Sequence, residues 1–313
     1  MYKNYLFLLF VLLSSLIHAS VKLENCLNED QVIYGEDNTI YAGEYNDHRF
    51  VEASKAVAVM IPANQMIDFG NFYELVKKVT YVDNYPLCKN EINYRNRVHS
   101  VCSGFLVDHN VLVTASHCIP DPVACQNGHK WVFGFSKENM ASNEPLLVPK
   151  RDVYSCEKIL EIGHNLANNV QKDYVVIKLS RKVEAINPLP FRKAGKINDD
   201  DELVLIGYPS GRPEIIADQG KIRDNSFFYF FRTNLDAFNG NSGAPVLNYS
   251  TGMVEGIFLS GEVDYIFNNE RQCWNIKRCQ GPECRGEDVF RITGIDYIAP
   301  YKRSWLSRQL PVF

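Results

Sequence analysis

One serine in this chain is surrounded by backbone freedom. It is Ser242, in the stretch LDAFNGNSGAPV (235–246), beside Gly240, Asn241 and Gly243. A hydroxyl becomes a nucleophile only when a base can take its proton. The carbonyl it attacks needs N–H donors for the negative oxygen that develops. Gly240 permits a backbone that turns an N–H inward, and the Ser242 N–H joins it. Gly243 lets the chain leave without a side chain filling the site. A base is offered by His117, at the end of VCSGFLVDHNVLVTASHC (101–118), and a carboxylate by Asp173, at the head of KDYVVIKL (172–179). A carboxylate on the imidazole N–H fixes the tautomer and stabilises the imidazolium that forms on proton uptake.

These residues need rigid elements to hold them. Short apolar runs dominate the chain: KAVAVMI, GFLV, VLVTA, DYVVIKL, ELVLIGY, APVLN and VEGIFL. They are rich in Val and Ile and bounded by Gly, Pro, Asn and Asp, which predicts many β-strands and an all-β fold. GFLV and VLVTA flank the turn DHN. A hairpin centred near His109 and Asn110 brings Cys102 close to Cys118, and a disulfide there would pin the segment carrying His117. Residues 261–289 read as a long loop holding Cys273, Cys279 and Cys284, which are expected to form disulfides. Helical patterns are scarce, and the best, YIAPYKRSWLSRQL, predicts a short C-terminal helix after Pro300.

The chain has 313 residues, 46% hydrophobic and 22% charged, enough for a sizeable core and too ordered for a disordered class. Its net charge of −4, with no long basic run, gives no case for a nucleic-acid partner. MYKNYLFLLFVLLSSLIHAS has the layout of a secretory signal peptide, residues 1–19, with an apolar run too short to span a bilayer. Residues 20–31 read as a short pro-segment, whose Cys26 could instead tether it to the body. All nine cysteines follow the signal. In an oxidising compartment they should pair, and one is left over. Asn248 opens the glycosylation sequon NYS.

The stretches TASHC, DYVVIKL and GNSGAPV follow one another in the order His, Asp, Ser. In this the chain resembles the chymotrypsin/trypsin-like serine protease family, most closely its secreted bacterial branch, which includes the glutamyl endopeptidases. VIYGEDNTIY (32–41) resembles the mature start in that branch. IGYPSGRPEIIADQGKI (206–222) resembles its stretch between aspartate and serine. The similarity runs from about Val32 to about Asp296. It implies two six-stranded antiparallel β-barrels, the first within about 45–180 and the second within about 195–298. The site would lie between them. It further implies a monomeric secreted endopeptidase acting on protein or peptide substrates, with no metal or cofactor and no membrane partner once the signal is removed. Ser242 would attack, His117 would carry the proton, Asp173 would orient it, and the N–H groups of Gly240 and Ser242 would hold the oxyanion.

The resemblance also places a specificity pocket. Asp236 stands where the trypsin-like pocket floor lies, so cleavage after Arg or Lys is expected. Phe258 stands where glutamyl endopeptidases carry a histidine, and Gly261 would leave the entrance open. Asn241 departs from trypsin's aspartate, so a trypsin-style buried ion pair with a new N-terminus cannot form. The alternatives are a catalytically inactive binding module of the same fold, an esterase, or a glutamyl-specific endopeptidase.

Overall fold

The computed structural model describes residues 32–76, 79–80, 86–89, 91, 97–98, 101–137, 146–165 and 172–298. The signal peptide, the pro-segment with Cys26 and the C-terminal helix expected after Pro300 lie outside the described residues. The described chain begins with β1 (Ile33–Tyr34) and β2 (Thr39–Tyr41), then helix α1 (His48–Ser54). Asp47 caps α1 by accepting the Arg49 N–H. The chain continues through β3 (Val57–Pro62), an outer hairpin of β4 (Met66–Phe69) and β5 (Phe72–Leu75), and the short pair β6 (Val79–Thr80) and β7 (Arg97–Val98). Next come β8 (Cys102–Asp108), β9 (Val111–Thr114), β10 (His129–Phe133), β11 (Leu146–Pro149), β12 (Val153–Asn165) and β13 (Lys172–Leu179).

Six of these strands close into a barrel in the order β10-β12-β13-β9-β8-β3. Closure removes the exposed edges that apolar strands such as VAVMI and DYVVI would otherwise present. Trp131 fills the interior against Gly104, where a Cβ would sit 2.7 Å from the indole. β8 and β9 form a hairpin around Asp108–Asn110, with Leu106 opposite Leu112. A disulfide joins Cys102 to Cys118 across it.

The second half repeats the solution. Its strands are β14 (Glu202–Gly207), β15 (Ile215–Asp224), β16 (Phe230–Thr233), β17 (Pro245–Asn248), β18 (Val254–Ser260) and, after three short strands, β22 (Glu287–Arg291). They run in the order β14-β17-β18-β22-β16-β15, and a β14–β15 pairing closes the ring, so the molecule holds two six-stranded antiparallel barrels. β2 adds to the outer edge of β15.

The region expected to be one long loop is more structured. It contains β19 (Tyr265–Asn268) hairpinned to β20 (Cys273–Ile276), and β21 (Arg278–Cys279) paired in parallel with β1. β22, a fully buried barrel strand, begins inside it. Its first residues, Glu287 and Asp288, are carboxylates that no apolar pattern announces. The disulfides are Cys88–Cys273, Cys102–Cys118, Cys125–Cys156 and Cys279–Cys284. Eight of nine cysteines are thereby used, so no cysteine of the body remains to tether Cys26.

The Cys102–Cys118 bond closes a separation of 16 residues. Replacing both by Ser should lower stability by about 3 kcal/mol in the chain-entropy account, read as a lower urea midpoint.

Candidate active site

Antiparallel register brings the first two residues together. Val175 on β13 pairs with Thr114 on β9. Two residues back along β13 is Asp173, and two residues past Thr114 is Ser116, so the carboxylate meets the loop that follows β9. Asp173 Oδ2 accepts from His117 Nδ1 at 2.6 Å. Oδ1 accepts from the Ser116 N–H at 2.8 Å, the Ser116 hydroxyl at 2.6 Å and the His117 N–H at 3.1 Å. Burial works to raise the carboxyl's pKa, but hydrogen bonds from His117 and Ser116 and the charge of the imidazole outweigh it and hold it below the ordinary value. The His117 side chain is 20% exposed against 7% for Asp173, so the imidazole lies at the surface of the site and the carboxylate beneath it.

A ring nitrogen of His117 lies within 4.8 Å of the sulfurs of Cys102 and Cys118. Thiolates so placed could bind a metal with the imidazole. Here the two sulfurs are bonded to each other beside the ring and are not free to bind a metal.

Ser242 sits on the loop before β17 and is almost wholly buried. Its Oγ donates to Leu259 O on β18 at 3.1 Å, and its backbone carbonyl accepts the Ser103 N–H at 2.8 Å. The Cys118 sulfur lies 3.8 Å from that same carbonyl, so the serine loop touches one end of the Cys102–Cys118 disulfide and the residue next to the other.

Gly240 and Gly243 adopt φ of +94° and +86°, which side chains of L residues rarely reach. Space forbids a side chain as well: a Cβ on Gly243 would lie 2.1 Å from Thr114 Oγ1, and one on Gly240 would lie 2.6 Å from Tyr208 O. The carbonyl of Asn239 accepts the Ser210 N–H. In a trans peptide the N–H points opposite to the C=O, so the Gly240 N–H points away from Ser210. Asn241 is completely buried beside Gly207.

Ser103 on β8 carried no signal in the sequence beyond standing next to Cys102. Fully buried, its hydroxyl accepts the Tyr208 N–H at 3.0 Å and donates to Gly240 O at 2.8 Å. With the bond from its backbone N–H to Ser242, one residue of the first barrel holds the Gly240–Ser242 loop of the second.

The expected specificity pocket needs correction. Asp236 is buried, and both its oxygens are taken by the N-terminal segment: Oδ1 accepts the Tyr34 N–H at 2.7 Å and Oδ2 the Asn38 N–H at 2.8 Å. It anchors a chain segment and does not present a free carboxylate as a pocket floor. Phe258 is wholly buried in the second barrel's core with Ala237, Ala244 and Val246. Gly261 does not open an entrance, because Glu287 lies against it; a Cβ there would fall 1.6 Å from Glu287 Oε2. Glu287 Oε1 accepts from the Tyr34 hydroxyl at 2.9 Å and the Glu262 N–H at 3.2 Å. Burial pushes Asp236 up to about 7 and Glu287 up to about 8.

Two closed six-stranded antiparallel barrels define the chymotrypsin-like peptidase fold. The profile of the trypsin-like peptidase domain matches residues 102–257, from β8 through most of β18, and the chain belongs to the chymotrypsin/trypsin-like serine protease family. Among solved structures it is similar to a Glu endopeptidase in complex with MPD, at 15% identity and TM-score 0.48, covering 86% of this chain and 99% of that one. It is also similar to the Rv3671c protease in an inactive form, at 12% identity and TM-score 0.41, covering 78% of this chain and 87% of that one. No curated protein sequence matches it.

The raised carboxyls predict a pH dependence. Between the ordinary carboxyl range and pH about 8, native Asp236 and Glu287 hold protons that the unfolded chain has released. Stability therefore falls as pH rises through that window. In a Ser242→Ala background, which guards against any self-digestion, the unfolding temperature should drop between about pH 5 and pH 8. Glu287→Gln, which keeps the acceptor for Tyr34, should flatten that drop. An unchanged slope would refute the assignment to Glu287.

Proposed function

We propose that this chain is an exported serine endopeptidase working through His117, Asp173 and Ser242. The observation that carries this is the His117–Asp173 hydrogen bond of 2.6 Å, on a loop whose disulfide touches the Ser242 carbonyl. In this reading the Ser242 hydroxyl attacks the scissile carbonyl while His117 Nε2 takes its proton. The tetrahedral oxyanion is held by the N–H groups of Gly240 and Ser242. His117 then returns the proton to the leaving amine, and water repeats the sequence to release the acyl group. Asp173 stays ionised throughout, which its depressed pKa supports. Acyl transfer by this route calls for no metal or cofactor. Export is supported by the four disulfides, and no described helix is long and apolar enough to cross a membrane.

A fluorophosphonate probe should label the mature protein and fail on Ser242→Ala. His117→Ala should lower kcat/KM by several powers of ten, and its combination with Ser242→Ala should cost little more, because the residues act as a unit. Because His117 must be neutral, and an ordinary imidazole titrates near about 6.5, turnover should rise between about pH 6 and 8 and then level. Losses that multiply in the double variant would overturn the assignment.

The specificity follows from what the expected pocket lacks. Asp236 and Glu287 have no ion-pair partner among the described residues, and the position for an acid-binding histidine holds buried Phe258. A glutamate before the scissile bond would be disfavoured by the absence of a receiving cation. A peptide panel varied at that position should show Glu among the poorest substrates. Asp236→Ser should lower stability, since it strips acceptors from Tyr34 and Asn38. Efficient cleavage after Glu would sink this reading and leave the triad untouched.

A further inference from the structure

The hydrogen bonds on Asp173 do not end at Ser116. The Ser116 hydroxyl also lies 2.8 Å from Nδ1 of His164, on β12. β12 and β13 pair so that His164 stands directly opposite Asp173. The arrangement runs His164–Ser116–Asp173–His117, two imidazoles joined through one hydroxyl and one carboxylate.

The protons in this chain can be assigned by counting. Asp173 is ionised and can only accept. Ser116 has one hydroxyl proton, and the 2.6 Å contact to Asp173 Oδ1 uses it. The hydroxyl oxygen therefore faces His164 with a lone pair, and only an Nδ1–H on His164 makes that contact a hydrogen bond. So His164 donates to Ser116, and Ser116 donates to Asp173. Oδ1 then holds three donors, two from Ser116 and the His117 N–H. Oδ2 is left for the His117 ring.

We propose that Ser116 and His164 are positioning residues for the reaction, locking the rotation of the Asp173 carboxylate so that Oδ2 faces His117. The proposal rests on the triad reading above. Ser116 is fully buried, while His164 is exposed, so the outer end of the relay is open to solvent. The ionisable groups facing Asp173 in these contacts are the two imidazoles, one from the loop after β9 and one from β12. Its neighbours on β13, Lys172 and Tyr174, alternate to the other face of the strand. Lys172 lies over the Tyr229 ring, and the Tyr174 hydroxyl donates to Glu161 on β12.

The test compares Ser116→Ala, His164→Ala and the double variant with the parent. Ser116→Ala removes one atom, and His164 is a surface position, so the fold should survive in each; melting curves check it. Ser116→Ala should lower kcat about tenfold with KM little changed, the size of one hydrogen bond to a charged group. The acid limb of its pH profile should move to higher pH, because a carboxylate with fewer donors holds the His117 imidazolium more firmly. His164→Ala should show a smaller loss in the same direction, about threefold, and the double variant should match Ser116→Ala alone. Independently of turnover, the downfield proton resonance of His117 Nδ1–H should shift in His164→Ala. Unchanged kcat, pH profile and resonance in His164→Ala, or losses that multiply in the double variant, would overturn the proposal. If Ser242→Ala kept full turnover, the triad reading would fall instead. The resonance, measured in Ser242→Ala protein, would then decide the relay by itself.

Discussion

A carboxylate buried in a β-barrel must be surrounded by donors or it cannot stay charged. Asp173 is the point where this constraint binds the structure. Its four hydrogen bonds come from two consecutive residues, Ser116 and His117. A loop can bring two backbone N–H groups, a hydroxyl and an imidazole onto one carboxylate only if it is folded tightly over the head of β13. The turn after β9 does this, with Cys118 N bonded to Ala115 O and Ile119 N to Ser116 O. The disulfide to Cys102 then ties the far end of the turn to β8. The apolar middles of β9 and β13 supply the register, and the polar ends use it.

The second constraint is contact between barrels. Neither barrel alone holds both halves of the candidate site, so their relative position must be fixed near the serine. Close approach achieves this, and it explains why glycine is required. Thr114 Oγ1 and Ser103 O lie where a Gly243 side chain would be. The Ser103 hydroxyl, wedged between Tyr208 and Gly240, converts that approach into directed bonds. Buried polar groups with both donor and acceptor satisfied add specificity of placement to a contact that apolar packing would leave loose.

What the sequence could show was whatever a local pattern encodes. Alternating and continuous apolar runs gave the strands, the turn DHN gave the β8–β9 hairpin, and the glycines around Ser242 marked an unusual backbone. Features set by distant partners stayed hidden. Asp236 looked like a free carboxylate, because its partners, Tyr34 and Asn38, lie about two hundred residues away in the chain. Phe258 sits in a strand whose alternation turns it into the core, which position in a motif does not reveal. β22 was masked by the carboxylates that open it; Asp288 is held by Arg232 and Arg285, and that pairing replaces the apolar signature of a buried strand. His164 was invisible for a different reason. Its facing of Asp173 depends on register shifts in β12 between Cys156 and Lys158 and between Ile159 and Glu161, and bulges leave little trace in sequence.

The Cys88–Cys273 bond differs from the other three in spanning 185 residues, and it links the segment before β8 to the β19–β20 hairpin. During synthesis the two thiols emerge far apart in time, on the order of ten seconds or more at ordinary elongation rates. Cys102, Cys118, Cys125 and Cys156 all emerge in that interval, before the partner of Cys88 has been made. Wherever the bonds form, correct pairing requires the first barrel's cysteines to find each other rather than Cys88. The short separations of 16 and 31 residues favour the correct early pairs. The long bond can form only once the hairpin of the second barrel has arrived. It is the one disulfide that ties the chain ahead of the first barrel's β8 to a segment made after most of the second barrel.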